Sequence, residues 1–154
     1  MAITGLTLEP LRADQYRQVA EWEYGPQPEN TDWELHAREM EDPRTARLGL
    51  YLDGEFVGCV SLEQVSRNMV AFHIATRRHA FHPDYLARLL FNIAGDLFKQ
   101  GATACVAHVP IEKRAVTRLA LRCGMHEWGH SETTRYFMMT KTRFQKCQLP
   151  SLSQ

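Results

Sequence analysis

The sequence of 154 residues predicts an α/β (α+β) fold with a mixed central sheet of about six to seven strands and about four helices. Residues 82–100 carry apolar side chains at helical spacing, and an apolar run typical of a strand stands on each side of them. Turn residues separate the run before this segment from two further strand-like runs that precede it. We expect one domain over residues 1–144 and a flexible tail over residues 145–154.

The first third of the chain predicts a strand followed by two helices. Residues 4–11 alternate weakly and end near a proline, and residues 13–22 have helical spacing. After a loop rich in Pro, Gly and Asn, Thr31 and Glu34 match a capping box, in which each side chain satisfies a backbone N–H of the other. We expect the helix that begins there to run to about Met40 and to bury Trp33, Ala37 and Met40.

The middle of the chain predicts three antiparallel strands. Residues 48–52 and 55–64 flank Asp53-Gly54, a pair that readily adopts the positive φ angles of a type I′ turn. A second turn, Ser66-Arg67-Asn68, leads into a strand over residues 69–75. Each strand is therefore expected to pair with the next.

A central helix and a second strand–helix pair complete the pattern. Pro83 suits the first helical turn and Gly101 the position just after its end, and six residues share the apolar face: Leu86, Leu89, Leu90, Ile93, Ala94 and Leu97. Residues 102–109 predict a strand parallel to residues 69–75, because a helix joins the two. A helix over residues 113–123 and strands over residues 125–130 and 134–140 follow.

Composition excludes several classes of function. The formal net charge is zero, which gives no reason to expect a nucleic acid or an acidic membrane as partner. No apolar run is long enough to span a bilayer, and the first residues do not resemble a signal peptide. The four cysteines form no CxxC pair, and His126 and His130 fall on a strand, where their spacing does not converge on a metal. We expect a cytoplasmic protein without a metal.

The loop between the central strand and helix is cationic. It reads Thr76-Arg77-Arg78-His79-Ala80-Phe81 and immediately precedes a helix N-terminus, which favours anions. Arginine side chains bind phosphate well, so the loop is a candidate phosphate site. A basic, solvated connection with nothing bound is the alternative.

The order of elements, and residues 109–125 in particular, resemble the GNAT superfamily of acyl-CoA-dependent N-acetyltransferases. In that family an Asn opens this helix and Gly-Phe closes it, where this chain has Lys113 and Gly124-Met125. The resemblance implies acetyl-CoA as the acyl donor and a small-molecule or protein amine as the acceptor. It also implies that the strand end and loop contact the cofactor through Ala75, Thr76, Arg77, Arg78 and His79.

Two departures from the family pattern leave a second function open. The family loop is rich in glycine, yet no glycine lies between Thr76 and Leu90, and the position of a frequent catalytic tyrosine falls on Ala120. This combination resembles the divergent GNAT-like proteins of short-tailed bacteriophages. That resemblance implies a non-catalytic, virion- or head-associated assembly protein. Its partners would be phage structural proteins, and its location the bacterial host cytoplasm or the phage particle.

Two histidines are candidate general bases. His73 and His108 lie near the middle of the two strands that the family fold splays apart around the thioester, and histidine titrates near neutral pH. Each is alternatively a packed or outward-facing side chain. Glu63 on the preceding strand is another candidate base, and one surface stripe of arginines would suit the 3′-phosphate of CoA, an acidic partner or solvent alone: Arg114, Arg118 and Arg122.

Overall fold

A computed structural model describes residues 5–80 and 82–147. Within them, seven strands form one mixed sheet in the order β1-β2-β3-β4-β5-β7-β6, accompanied by five α-helices, so the predicted mixed α/β class is confirmed. The strands are β1 (Leu6–Pro10), β2 (Thr45–Leu52), β3 (Glu55–Ser66), β4 (Met69–Thr76), β5 (Ala104–Pro110), β6 (His126–His130) and β7 (Thr134–Thr140). The helices are α1 (Tyr16–Tyr24), α2 (Trp33–Glu39), α3 (Pro83–Lys99), α4 (Arg114–Arg122) and α5 (Lys141–Lys146), and a 3-10 turn (Ala13–Gln15) precedes α1.

The described residues group into two compact units, and the first comprises residues 5–63 and 73–80. Its hairpin between β2 and β3 forms as the sequence predicts, with φ of 51° at Asp53 and 84° at Gly54. Leu50, Val57 and Val60 are the fully buried centre of this unit. The apolar residues of these strands therefore supply the core on which the 3-10 turn and the first two helices depend.

The second unit comprises residues 64–72 and 82–147. Helix α3 has Pro83 in its first turn, and Gly101 after its end has φ of 108°, as predicted. Five of the six residues predicted for its apolar face are buried: Leu86, Leu89, Leu90, Ile93 and Ala94. On β7, Phe137 and Met139 are almost completely buried, whereas their neighbours on the opposite face are not. One face of β7 therefore belongs to the core, and the other face is partly open.

The crossover through α3 leads to parallel strands, as the sequence predicts. Three residue pairs join β4 to β5, from Met69 with Ala104 to Ala71 with Val106. β5 also pairs with β7 along its whole length, antiparallel.

Some local predictions were wrong. Helix α2 begins one residue later than the capping box requires, because Asp32 accepts the N–H of Leu35 (3.1 Å) while the Thr31 hydroxyl bonds to Pro28. Met40, predicted to be buried, is 38% exposed. Helix α5 was not predicted, and it includes residues 145 and 146 of the expected tail. Residues 148–154 of that tail lie outside the described residues, and the predicted domain limits remain predictions.

Candidate functional site

The predicted cofactor-binding residues are the end of β4 and the loop after it. Ala75 is buried, Thr76 and Arg77 are half-buried, and Arg78 and His79 are exposed. The N–H of Arg77 donates to the carbonyl of Val57 (2.8 Å), and the N–H of Ala80 donates to the carbonyl of Arg77 (3.1 Å). The N–H groups of Arg77 and Ala80 are therefore already bonded within the protein.

The three cationic side chains of this loop are not equivalent. The guanidinium of Arg77 forms an ion pair with Glu55. Neither Arg78 nor His79 forms a side-chain hydrogen bond or ion pair with another described residue, and His79 has a positive φ of 59°. The guanidinium of Arg78 and the ring of His79 are thus available to a phosphate. Arg77 would first have to leave its carboxylate.

The N-terminus of α3 is closed by its own residues. The His82 ring accepts the N–H of Asp84 (3.2 Å), and the His82 carbonyl accepts the N–H groups of Tyr85 (3.1 Å) and Leu86 (3.3 Å). Pro83 has no N–H, so the described first turn offers no unbonded donor. Phe81, which completes the predicted loop, lies outside the described residues. An anion would have to displace the His82 ring before it could reach the N–H of Asp84.

His73 on β4 has an acidic partner. Its Nε2 bonds to the carboxylate of Glu23 on α1, with His73 57% and Glu23 12% exposed in their side chains. A carboxylate bonded to Nε2 in this way holds the ring in one orientation. Glu63, the other candidate base, is exposed on β3 opposite Thr45. Of these two candidate bases, His73 is therefore the one whose side chain is held in place by another residue.

His108 belongs to the second unit and contacts an aromatic ring. It lies exposed on β5, directly opposite Tyr136 of β7, with ring centroids 4.9 Å apart in an edge-to-face arrangement. Trp128 of β6 stacks on the same Tyr136 at 5.4 Å. The sequence reasoning missed Tyr136, Trp128 and Glu23. Alternation along residues 134–140 was the signal for Tyr136, whereas Glu23 has no local signal because 50 residues separate it from His73.

Helix α4 supplies no tyrosine and only part of a basic stripe. Ala120 is 6% exposed and has no proton to donate to a leaving thiolate. Arg122 is bound to Asp84 (2.8 Å), which removes it from the predicted stripe. The other two arginines of the stripe, Arg114 and Arg118, line an open groove of about 870 Å³ together with residues 110–112 and 132–135.

Neither a metal-binding cluster nor a membrane-spanning helix is present in the described residues. No group of three or more His, Cys, Asp or Glu side chains in this part of the chain could hold a metal ion. None of the described helices is both long enough and apolar enough to cross a bilayer.

The structure is similar to solved spermidine N-acetyltransferases of Vibrio cholerae. A point mutant of that enzyme superposes with a TM-score of 0.73 at 16% identity, covering 92% of this chain and 97% of its own. A complex described as containing CoA and spermine gives 0.71 at 15%, covering 93% and 99%. The chain has a GNAT-like fold. A dodecameric form of the same enzyme gives 0.72 at 16%, covering 92% and 97%.

The GNAT-like fold is supported by structure and not by sequence similarity. No protein-family model matches the chain, and no curated protein sequence matches it. The fold extends over almost the whole chain at this low identity, so the structural likeness establishes the architecture. The roles of the candidate residues His73, His108 and Ala75–His79 stay predictions.

Proposed function

We propose that this chain is an acyltransferase that uses acetyl-CoA as donor substrate and an amine as acceptor. The observation that carries the proposal is the GNAT-like fold, shared over 93% of the chain with a protein solved in complex with CoA and spermine.

The loop after β4 is the proposed site for the phosphates of the donor. The side chain of Arg78 supplies positive charge, and the His79 ring can donate an N–H; neither has a partner among the described residues, and the backbone of Ala75 and Thr76 leads directly into this loop. Charge-assisted bonds from arginine to phosphate are roughly twice as strong as neutral hydrogen bonds. Side chains would in this way replace the glycine-rich backbone cradle that the sequence lacks.

His73 is the proposed general base. Amine attack on the thioester carbonyl requires that the ammonium first lose its proton, and a histidine held by a carboxylate is suited to accept it. Glu23 would then stabilise the imidazolium that forms. His108 is the second candidate, with Tyr136 beside it as a group that is able to donate a proton. The described part of α4 offers no such donor at Ala120.

Donor binding is tested by thermal unfolding with acetyl-CoA. At a concentration of one hundred times a micromolar Kd, the ligand stabilises the folded state by about 2.7 kcal/mol, which raises Tm by roughly 5–10 °C. Arg78→Ala should abolish most of this shift, and Arg77→Ala should reduce it less because of the Glu55 ion pair. Arg67→Ala is the matched control, an exposed arginine in the turn before β4. No shift with the unmodified chain would refute donor binding.

The base is identified by thiol release from acetyl-CoA in the presence of a panel of amines. His73→Gln should lower kcat by about 10²–10⁴-fold, the usual contribution of a general base. His130→Gln is the control, since His130 is an exposed histidine outside the proposed machinery. A larger loss with His108→Gln than with His73→Gln would transfer the role to His108.

A specific observation favours a second candidate, a non-catalytic GNAT-like protein. The first turn of α3 is closed by His82, and no glycine lies between Thr76 and Leu90 to admit a pyrophosphate. The bacteriophage resemblance predicts that such a protein assembles with phage structural proteins. Absence of an acetyl-CoA shift, together with recovery of the chain in purified phage particles by mass spectrometry, would establish this alternative.

A further inference from the structure

An exposed row of three rings crosses the β5–β7–β6 part of the sheet. Tyr136 is the middle ring, paired in register with His108 on one side and with Gly129 on the other. The rings of His108 and Tyr136 are 4.9 Å apart, and those of Tyr136 and Trp128 are 5.4 Å apart with 28° between their planes. We call these three residues the aromatic ledge.

A β-bulge positions Trp128 on this ledge. The pairing of β6 with β7 shifts between Glu127 and Gly129, so Trp128 is an extra residue without a partner of its own. Bulges redirect a side chain and are over-represented next to active sites. Trp128 stays 56% exposed although it stacks on Tyr136. A large ring held in one orientation and still open to solvent is a preformed contact surface.

The aromatic rings of the ledge favour a cation as ligand. The faces of Trp and Tyr rings are electron-rich and attract ammonium groups. Arg135, the neighbour of Tyr136 along β7, points to the opposite face of the strand, where Glu127 binds its guanidinium (3.2 Å). The nearest arginine along the strand therefore does not compete for the rings.

We propose that the aromatic ledge binds the protonated alkylamine of the acceptor substrate. The proposal rests on the amine-acceptor function above and adds the substrate class and the residues that hold it. Trp128 gives the cation the ring face that is turned away from Tyr136, Tyr136 supports that ring from behind, and His108 lies at the other edge of the row. An alkylamine with a cationic head and an apolar stem matches a surface that is aromatic and half exposed.

The test titrates butylammonium into the protein without acetyl-CoA and follows the backbone amide resonances of β6 and β7 by NMR, which are present in every variant. Trp128→Leu should weaken binding about fivefold, whereas Trp128→Phe, which keeps a ring, should weaken it about twofold. Because Trp128 is exposed, neither variant should change Tm appreciably. Neutral 1-butanol, with the same stem, should bind at least fivefold more weakly than butylammonium.

Kinetics give the second readout. With an accepted amine, Trp128→Leu should raise the KM of the amine about fivefold and leave the KM of acetyl-CoA unchanged. Equal binding of butylammonium by Trp128→Leu and the unmodified chain would overturn the proposal, as would equal binding of 1-butanol. The proposal would also be overturned if Trp128 were buried by a second copy of the chain. Sedimentation would then show a dimer for the unmodified chain and a monomer for Trp128→Leu. Amine binding without any acetyl-CoA shift would leave the ledge standing and refute the transferase.

Discussion

Gly95 is a buried helical glycine whose replacement tests the packing of α3 against α5. An added Cβ would lie 2.8 Å from Cζ of Phe144, about 0.6 Å closer than the shortest ordinary carbon contact of about 3.4 Å. Phe144 cannot easily retreat, because its ring stacks on Phe91 at 4.5 Å and contacts Phe98 at 5.2 Å. Gly95→Ala therefore has two opposing effects: alanine favours the helix, but its Cβ crowds the ring of Phe144.

The magnitudes decide the sign of the effect. Alanine in a helix interior is about 1 kcal/mol more favourable than glycine. Overpacking in a core costs typically 1–3 kcal/mol. With a cost of about 2 kcal/mol, Gly95→Ala should lower the free energy of unfolding by about 1 kcal/mol and Tm by about 2–4 °C.

A double-mutant cycle isolates the contact. In a Phe144→Ala background the clashing ring is absent, so the same Gly95→Ala change should stabilise the protein by about 1 kcal/mol, a coupling of about 2 kcal/mol. Urea unfolding followed by circular dichroism gives all four free energies. If Gly95→Ala stabilised both backgrounds equally, the packing of Phe144 over Gly95 would be refuted.

Two further predictions concern buried groups. Tyr51→Phe removes the hydroxyl that accepts the side-chain amide N–H of Gln15, a residue that is 3% exposed. The free energy of unfolding measured in urea should therefore fall by about 1–3 kcal/mol. A decrease below about 0.5 kcal/mol would contradict the buried bond. Burial raises the pKa of the Cys105 thiol to about 12 and that of Cys123 to about 11, and also raises the pKa of Cys59, so these thiols stay protonated at neutral pH. A chromogenic disulfide reagent should modify Cys147 alone in the folded protein and all four cysteines in denaturant, and more than one fast-reacting thiol in the folded state would contradict this burial.

Several elements followed from local sequence because their signals are local. The positive φ angles at Asp53 and Gly54 are a property of those two residues, and they alone define the hairpin turn. Helix α3 has its apolar spacing, its proline and its terminal glycine within 19 residues of sequence. Short-range geometry was enough to predict both elements, and the parallel arrangement of β4 and β5 followed from the handedness of the connection.

The contacts of the site residues were harder to predict, because several of their partners lie far away in the sequence. Arg77 belonged to the predicted phosphate site, but Glu55 on another strand binds its guanidinium. At the start of α3, the N–H of Asp84 is bonded to the ring of His82, a contact that the rotation of one side chain decides. The capping-box pattern likewise could not decide whether Thr31 or Asp32 caps helix α2.

The sequence by itself determined the class of the fold, the main turns and the central helix, because backbone propensities and apolar periodicity act over a few residues. Only the tertiary structure decided which charged and aromatic side chains meet: His73 with Glu23, and His108 with Tyr136 and Trp128. Those encounters depend on sheet order and register, which bring together residues that are far apart in the chain. A bulge of one residue in β6 is enough to place Trp128 on the ring of Tyr136.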